Sequence, residues 1–169
     1  VTIDGSNNGS SSKDMTIRNT GTGAAIRFID GAANNTVKSC IVESQNTVVT
    51  SGTIVFGTSV GTTVTTGNSN NIISGCDVRD RSDLTGIPMP TNAIYSFGTT
   101  GLENGYNKIS GCNIFNMTNG GVFVDDIGAG NGWVINPSSF YQTGNVSSTV
   151  RYIFIRGGSG HQIMNNSIG

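Results

Sequence analysis

Apolar positions along this chain fall in short runs separated by Gly, Asn, Ser and Thr. Five runs stand out: Ala25-Ile26-Arg27-Phe28-Ile29, Thr53-Ile54-Val55-Phe56, Ala93-Ile94-Tyr95-Ser96-Phe97, Gly121-Val122-Phe123-Val124 and Arg151-Tyr152-Ile153-Phe154-Ile155. β-Branched and aromatic side chains dominate them, which is the composition of strands. No stretch carries the 3.6-residue periodicity of an amphipathic helix. The pattern predicts an all-β chain.

A second kind of run repeats. It reads Asn35-Thr36-Val37-Lys38-Ser39-Cys40-Ile41-Val42, then Asn71-Ile72-Ile73-Ser74-Gly75-Cys76-Asp77-Val78, then Asn107-Lys108-Ile109-Ser110-Gly111-Cys112-Asn113-Ile114. Successive copies lie 36 residues apart. Two looser copies set Ile135, Ser138 and Phe140, then Ile163, Asn166 and Ile168, in the key positions. A unit this short buries its apolar side only by stacking on copies of itself. One phrase and one following run, joined by turns, are expected to form one rung. Rungs stacked at about 4.8 Å would enclose a common interior. The expected fold is a right-handed parallel β-helix of about five rungs, a single domain over residues 1–169. Thr58 to Ser69 and Arg79 to Thr91 would bulge from its turns as loops.

Stacking creates ladders. Cys40, Cys76 and Cys112 would share one interior column, continued by Ser138 and Asn166. Three buried free thiols are the favoured reading, because a free Cys packs as a small hydrophobe. The closeness of adjacent rungs also leaves a disulfide between neighbours open. Asn35, Asn71 and Asn107 would bond their own turns and one another along the axis. Both ladders are expected to be structural.

Charge narrows the function classes. Only 11% of residues are charged and the net charge is −1, against about 25% charged in typical domains. No basic stripe marks a nucleic-acid partner, and the apolar runs are too short for membrane insertion. One His and no CxxC pair give no zinc site, so no metal ligand set is expected. The first residues, Val1-Thr2-Ile3, read as strand without a signal peptide, and no polar cap is visible at either end. The expectation is an open-ended piece of a longer chain, its ends stacked on further rungs of that chain or on a partner.

The Asn-x-Ile-x-x-Cys-x-Ile phrase resembles the parallel β-helix repeat of pectate-lyase-like proteins. Val1-Thr2-Ile3-Asp4-Gly5-Ser6-Asn7-Asn8-Gly9 with Asp14-Met15-Thr16-Ile17-Arg18-Asn19 resembles very long surface proteins of Bacteroidota. So does Trp133-Val134-Ile135-Asn136 with Ser139-Phe140-Tyr141-Gln142-Thr143. The resemblance covers nearly the whole chain. It implies export to the cell surface or the medium. Such proteins commonly end in a sorting domain read by the type IX secretion machinery, a domain that residues 1–169 do not include. The resemblance implies no activity, because fold does not fix function.

The same resemblance nominates two constellations. Pectate-type lyases use clustered Asp ligands for calcium with an Arg or Lys base. Asp77, Asp80 and Asp83, with Arg79 and Arg81 among them, are the local equivalent and the candidate binding residues. Calcium takes six to eight oxygen ligands, and two interleaved arginines favour a self-paired loop instead. Polygalacturonase-like enzymes carry an Asp pair, a later Gly-His-Gly and an Arg-x-Lys beyond it. Asp125, Asp126, Arg156 and His161 are the matching catalytic candidates, with two carboxylates as acid and base and an imidazole to tune them. The match is partial. Gln162 replaces the second Gly, no Arg-x-Lys follows, and His161 falls in the column of Asn35, Asn71 and Asn107, where a turn residue belongs. Trp133 and Tyr141 suit either sugar stacking or packing against the wall.

Three functions follow. The leading one is a structural or adhesive rod that displays loops to glycans or cell surfaces. The second is a carbohydrate-active enzyme, a polysaccharide lyase or glycosidase acting on acidic polysaccharide. The third, an ice-binding surface, is opposed by Thr62, Thr63, Thr65 and Thr66 lying in one loop and not on successive rungs. Placement discriminates the first two: Asp77, Asp80, Asp125 and Asp126 projecting from one face would favour the enzyme, and scattered carboxylates the rod.

Overall fold

The computed structural model describes residues 1–57, 64–86, 88–125 and 130–169. All regular structure in them is strand. The first rung holds β1 (Thr2–Asp4), β2 (Met15–Arg18) and β3 (Ile26–Phe28). The second holds β4 (Thr36–Lys38), β5 (Cys40–Ser44) and β6 (Ile54–Phe56). The third holds β7 (Ile72–Ser74), β8 (Asp77–Asp80) and β9 (Asn92–Ser96). The fourth holds β10 (Lys108–Ser110), β11 (Cys112–Phe115) and β12 (Gly120–Val124). The fifth holds β13 (Val134–Ile135), β14 (Ser138–Tyr141) and β15 (Arg151–Ile155), and β16 (Gln162–Ile163) with β17 (Ser167–Ile168) begin a sixth.

Every third strand pairs in parallel. The first sheet runs β1-β4-β7-β10-β13-β16, the second β2-β5-β8-β11-β14-β17 and the third β3-β6-β9-β12-β15. This is a parallel β-helix, as the repeat predicts, but each rung has three strands where the sequence suggested two runs. The repeated phrase bends in its middle. Ser39, Gly75 and Gly111 take left-handed backbone at φ 53°, 60° and 64°, a region that glycine enters without penalty. One residue thereby turns the chain from the first sheet into the second. A second correction concerns the first rung. Ile3 pairs with Val37 and Met15 with Cys40, so residues 1–18 are a copy of the phrase split by the loop 6–14. The Ala25 run closes that rung and does not follow the Asn35 phrase. Arg79 and Asp80, expected in a loop, complete β8. Thr58 to Thr63 and Ile87, which fall in the expected loops, lie outside the described residues, as do Thr62 and Thr63 of the ice-binding argument.

Stacking fills the interior in columns. Val37, Ile73, Ile109 and Ile135 lie in register from the first sheet and are buried. Val42, Val78, Ile114 and Phe140 do the same from the second, and Ile54, Ile94 and Val122 from the third. Cys40, Cys76 and Cys112 are free and buried. Ile41 pairs with Asp77 and Asp77 with Asn113, so the thiols one residue earlier form a single column. Each S–H points at the carbonyl two residues back, that of Lys38, Ser74 or Ser110, at 3.2, 3.4 and 3.5 Å. Phe28 stacks on Phe56 at 4.6 Å, and Trp133 meets Phe56 edge-on at 5.1 Å.

The Asn ladder is also present. Asn71 Oδ1 accepts from the backbone N–H and the Nδ2 of Asn35 at 3.1 and 2.9 Å, and Asn107 Oδ1 does so from Asn71 at 2.9 and 3.1 Å. The residues just before it, Asn34, Asn70 and Tyr106, have φ 57°, 58° and 54°. A second ladder escaped the sequence reading. Asn104 Oδ1 accepts from the N–H and Nδ2 of Asn68 at 2.9 and 3.0 Å, and Asn68 Oδ1 accepts from Ala32 N–H at 2.9 Å. Its signal was the same 36-residue spacing.

Candidate functional site

The outer face of the second sheet carries the first constellation. Alternation along the strands aims Cys40, Val42 and their equivalents inward and Ile41, Glu43 and theirs outward. Asp77 accepts from Lys13 Nζ and, at 2.7 Å, from Asn113 Nδ2. Asp80 lies 3.4 Å from Arg79 Nε and accepts from Asn116 Nδ2 at 2.9 Å. Asp83 is held by both arms of Arg81 at 3.0 and 2.8 Å, and Arg81 also donates to Thr20 O at 3.0 Å. That guanidinium holds the Asp83 carboxyl below the usual carboxylate range. The three acids converge on no common point; each faces its own cation or amide. The residues present therefore form ion pairs and do not offer the open oxygen cage that calcium takes.

At the centre of this face is a carboxylate that the sequence did not single out. Glu43 is 1% exposed. Its Oε2 accepts from Arg18 Nε at 2.7 Å, with Arg18 Nη2 at 2.6 Å, and its Oε1 accepts from Ser82 Oγ at 2.8 Å. Arg18, Glu43 and Arg79 are register neighbours. The column continues with Arg79 over the Phe115 ring at 4.9 Å and Phe115 stacked on Tyr141 at 4.8 Å. Segment 80–86 thus roofs Glu43. In sequence, Glu43 looks like an ordinary outward strand residue, because the groups that bury it arrive from other rungs.

The second constellation lies where the third sheet turns toward the first. Asp125 follows β12, and Arg156 follows β15 one rung on; Arg156 Nη1 donates to Asp125 Oδ1 at 2.8 Å. Tyr95 O–H donates to Asp125 Oδ2 at 2.6 Å. Burial, with Asp125 beside it, pushes the Tyr95 phenol above its ordinary range. Tyr95, Phe123 and Phe154 form an outward aromatic column, with ring centroids 5.5 and 4.9 Å apart and Arg151 over Phe154 at 5.3 Å. Asp126 lies outside the described residues. His161 occupies the turn column, as its alignment suggested. Its Nδ1 accepts from Trp133 N–H at 3.3 Å, and its Nε2 faces Gly157 O at 3.0 Å. These contacts fit the tautomer with Nε2 protonated. The structure brings Asp125 and Arg156 together, while both ring nitrogens of His161 serve the turn.

Of the two aromatic candidates, Trp133 is wholly buried and donates to Asn104 O at 2.7 Å, which removes it from any sugar platform. Tyr141 stands on the outer face of the second sheet against Phe115. The acids divide accordingly: Asp77 and Asp80 belong to the second sheet, and Asp125 follows a strand of the third. Among the described residues no group of three or more His, Cys, Asp and Glu side chains is placed to hold a metal ion. Among the described residues no helix is long and apolar enough to cross a membrane. No protein-family profile, curated protein or solved structure matches the chain.

Proposed function

We propose that this chain is a β-helix module of a secreted or cell-surface bacterial protein, with a structural and adhesive role exercised by binding glycans. One observation carries the reading: the candidate acids Asp77, Asp80, Asp83 and Asp125 are each engaged by a cation, on two different sheets. Glycosidase chemistry needs two carboxylates facing one another across the scissile bond, and here the four acids are taken up in ion pairs within and between rungs. The remaining surface is low in charge and rich in hydroxyls and amides, which suits polar, weakly charged partners. The resemblance to long Bacteroidota surface proteins supports export, with the type IX machinery as the route. Further rungs, or a partner, stacked on the terminal rungs are part of the same reading.

The test is a glycan array combined with a turnover assay on acidic polysaccharides. Binding without turnover is expected. Bond cleavage that is lost in Asp125→Asn would overturn the adhesive reading in favour of a lyase or glycosidase.

A further inference from the structure

Most of the chain's cations are spent on its own acids. Lys13, Arg18, Lys38, Arg79, Arg81 and Arg156 each sit within 4 Å of a carboxylate. Arg27 differs. It lies mid-strand in β3, is exposed, and pairs with no carboxylate of the described residues. It also borders a groove of about 250 Å³ on the outer face of the third sheet. Val55, its register neighbour, and Phe97 line the floor. Thr50 and Ser51 supply hydroxyls from the turn of the second rung, and Gly23 and Ala24 leave the turn of the first rung low.

An apolar floor, a hydroxyl rim and one unneutralised guanidinium make a site of stated chemistry. The floor takes the C–H face of a sugar ring, with Phe97 as its aromatic element. The hydroxyls exchange hydrogen bonds with ring hydroxyls. The guanidinium takes a carboxylate in two-pronged fashion, the geometry it is built for. The groove is confined to the first three rungs. In the next rung, the register position that follows Phe97 is Asp125, a carboxylate already held by Arg156. A run of further acidic sugars along the axis would meet there a guanidinium already taken by Asp125, whereas one acidic sugar at Arg27 needs only that one cation.

We propose that this groove binds the acidic terminal sugar of a glycan, its carboxylate on Arg27 and its ring over Val55 and Phe97. The proposal rests on the glycan-binding reading above and names its ligand. Two substitutions test it. Arg27→Gln is exposed and keeps the stem while deleting the charge. Gly57→Val fills the groove, because among the described residues a Cβ at Gly57 would meet Val55 Cγ1 first, at 3.5 Å, with Arg27 Nη2 at 4.0 Å. Calorimetric titration uses three probes: a glucuronic-acid-terminated oligosaccharide, its glucose-terminated counterpart and a long polyuronate. Thermal melts confirm that each variant folds.

The expected result is preference for the acid-terminated probe over the neutral one by about tenfold, the worth of one charge-assisted contact. That preference disappears in Arg27→Gln, and binding of both short probes is lost in Gly57→Val. Equal affinity for acidic and neutral probes overturns the assignment to an acidic sugar. Binding that survives both folded variants moves the site elsewhere and overturns the groove while sparing the glycan reading. Tighter binding of the polyuronate per chain end overturns the terminal-sugar assignment. No binding of any sugar here or on the array overturns both.

Discussion

At the residue scale, one kind of side chain recurs at one address, and its chemistry explains why. A thiol at the inner corner between the first and second sheets is small enough to stack and still donates a hydrogen bond to a nearby carbonyl. Burial, with Cys76 beside it, pushes the Cys40 thiol up to about 11. Cys112 beside it, and burial, push Cys76 up as well. Thiolate is the reactive form, and all three thiols are buried away from reagent, so the column should resist alkylation by iodoacetamide at pH 8 in the native protein. All three cysteines should label once the chain is denatured, as read by intact mass. The Asn ladder makes a sharper case. Removing the Asn71 amide strips donors from Asn107 Oδ1 and Ala32 O and the acceptor from Asn35 N–H. Asn71→Ala should cost about 2 kcal/mol in denaturant unfolding, since buried partners are left unsatisfied. His161→Asn should cost little by comparison, because Asn Oδ1 can replace the Nδ1 acceptor in the same column.

At the scale of elements, the face of the second sheet depends on a roof. Glu43 joins β2, β5 and segment 80–86 through Arg18 and Ser82. Glu43→Gln leaves Arg18 without its buried counter-charge, so unfolding should become easier by about 2 kcal/mol. Protease cleavage within 80–86 should quicken in the same variant. This element also shows where sequence stops being informative. The phrase was legible because 36-residue spacing repeats Asn, an aliphatic and Cys in fixed order. The bend inside it was not, since Ser39, Gly75 and Gly111 interrupt neither the polarity pattern nor the β composition. The first rung was hidden because the loop 6–14 separates Ile3 from Met15, which only backbone pairing brings back into register. The placement of Asp125 beside Arg156 followed the repeat and was within reach of alignment, whereas the burial of Glu43 depends on groups from the two rungs that flank its own.

At the scale of the whole molecule, every rung pairs only with the rungs above and below it, and the same columns run through all of them. Asn34, Asn70 and Tyr106 share one left-handed backbone state, and each introduces the same phrase. The backbone at a junction between residues 70 and 107 is therefore already the backbone that each half expects. A gene lacking codons 71–106 should yield a shorter protein whose Asn35 bonds Asn107 and whose Cys40 sits beneath Cys112. Circular dichroism should show β structure and a single cooperative melt at lower temperature. A cut of half that length would set walls against corners and leave no cooperative melt. Length in such a molecule is a quantity that whole-turn gain or loss of sequence can change, one coil at a time, without redesigning what remains.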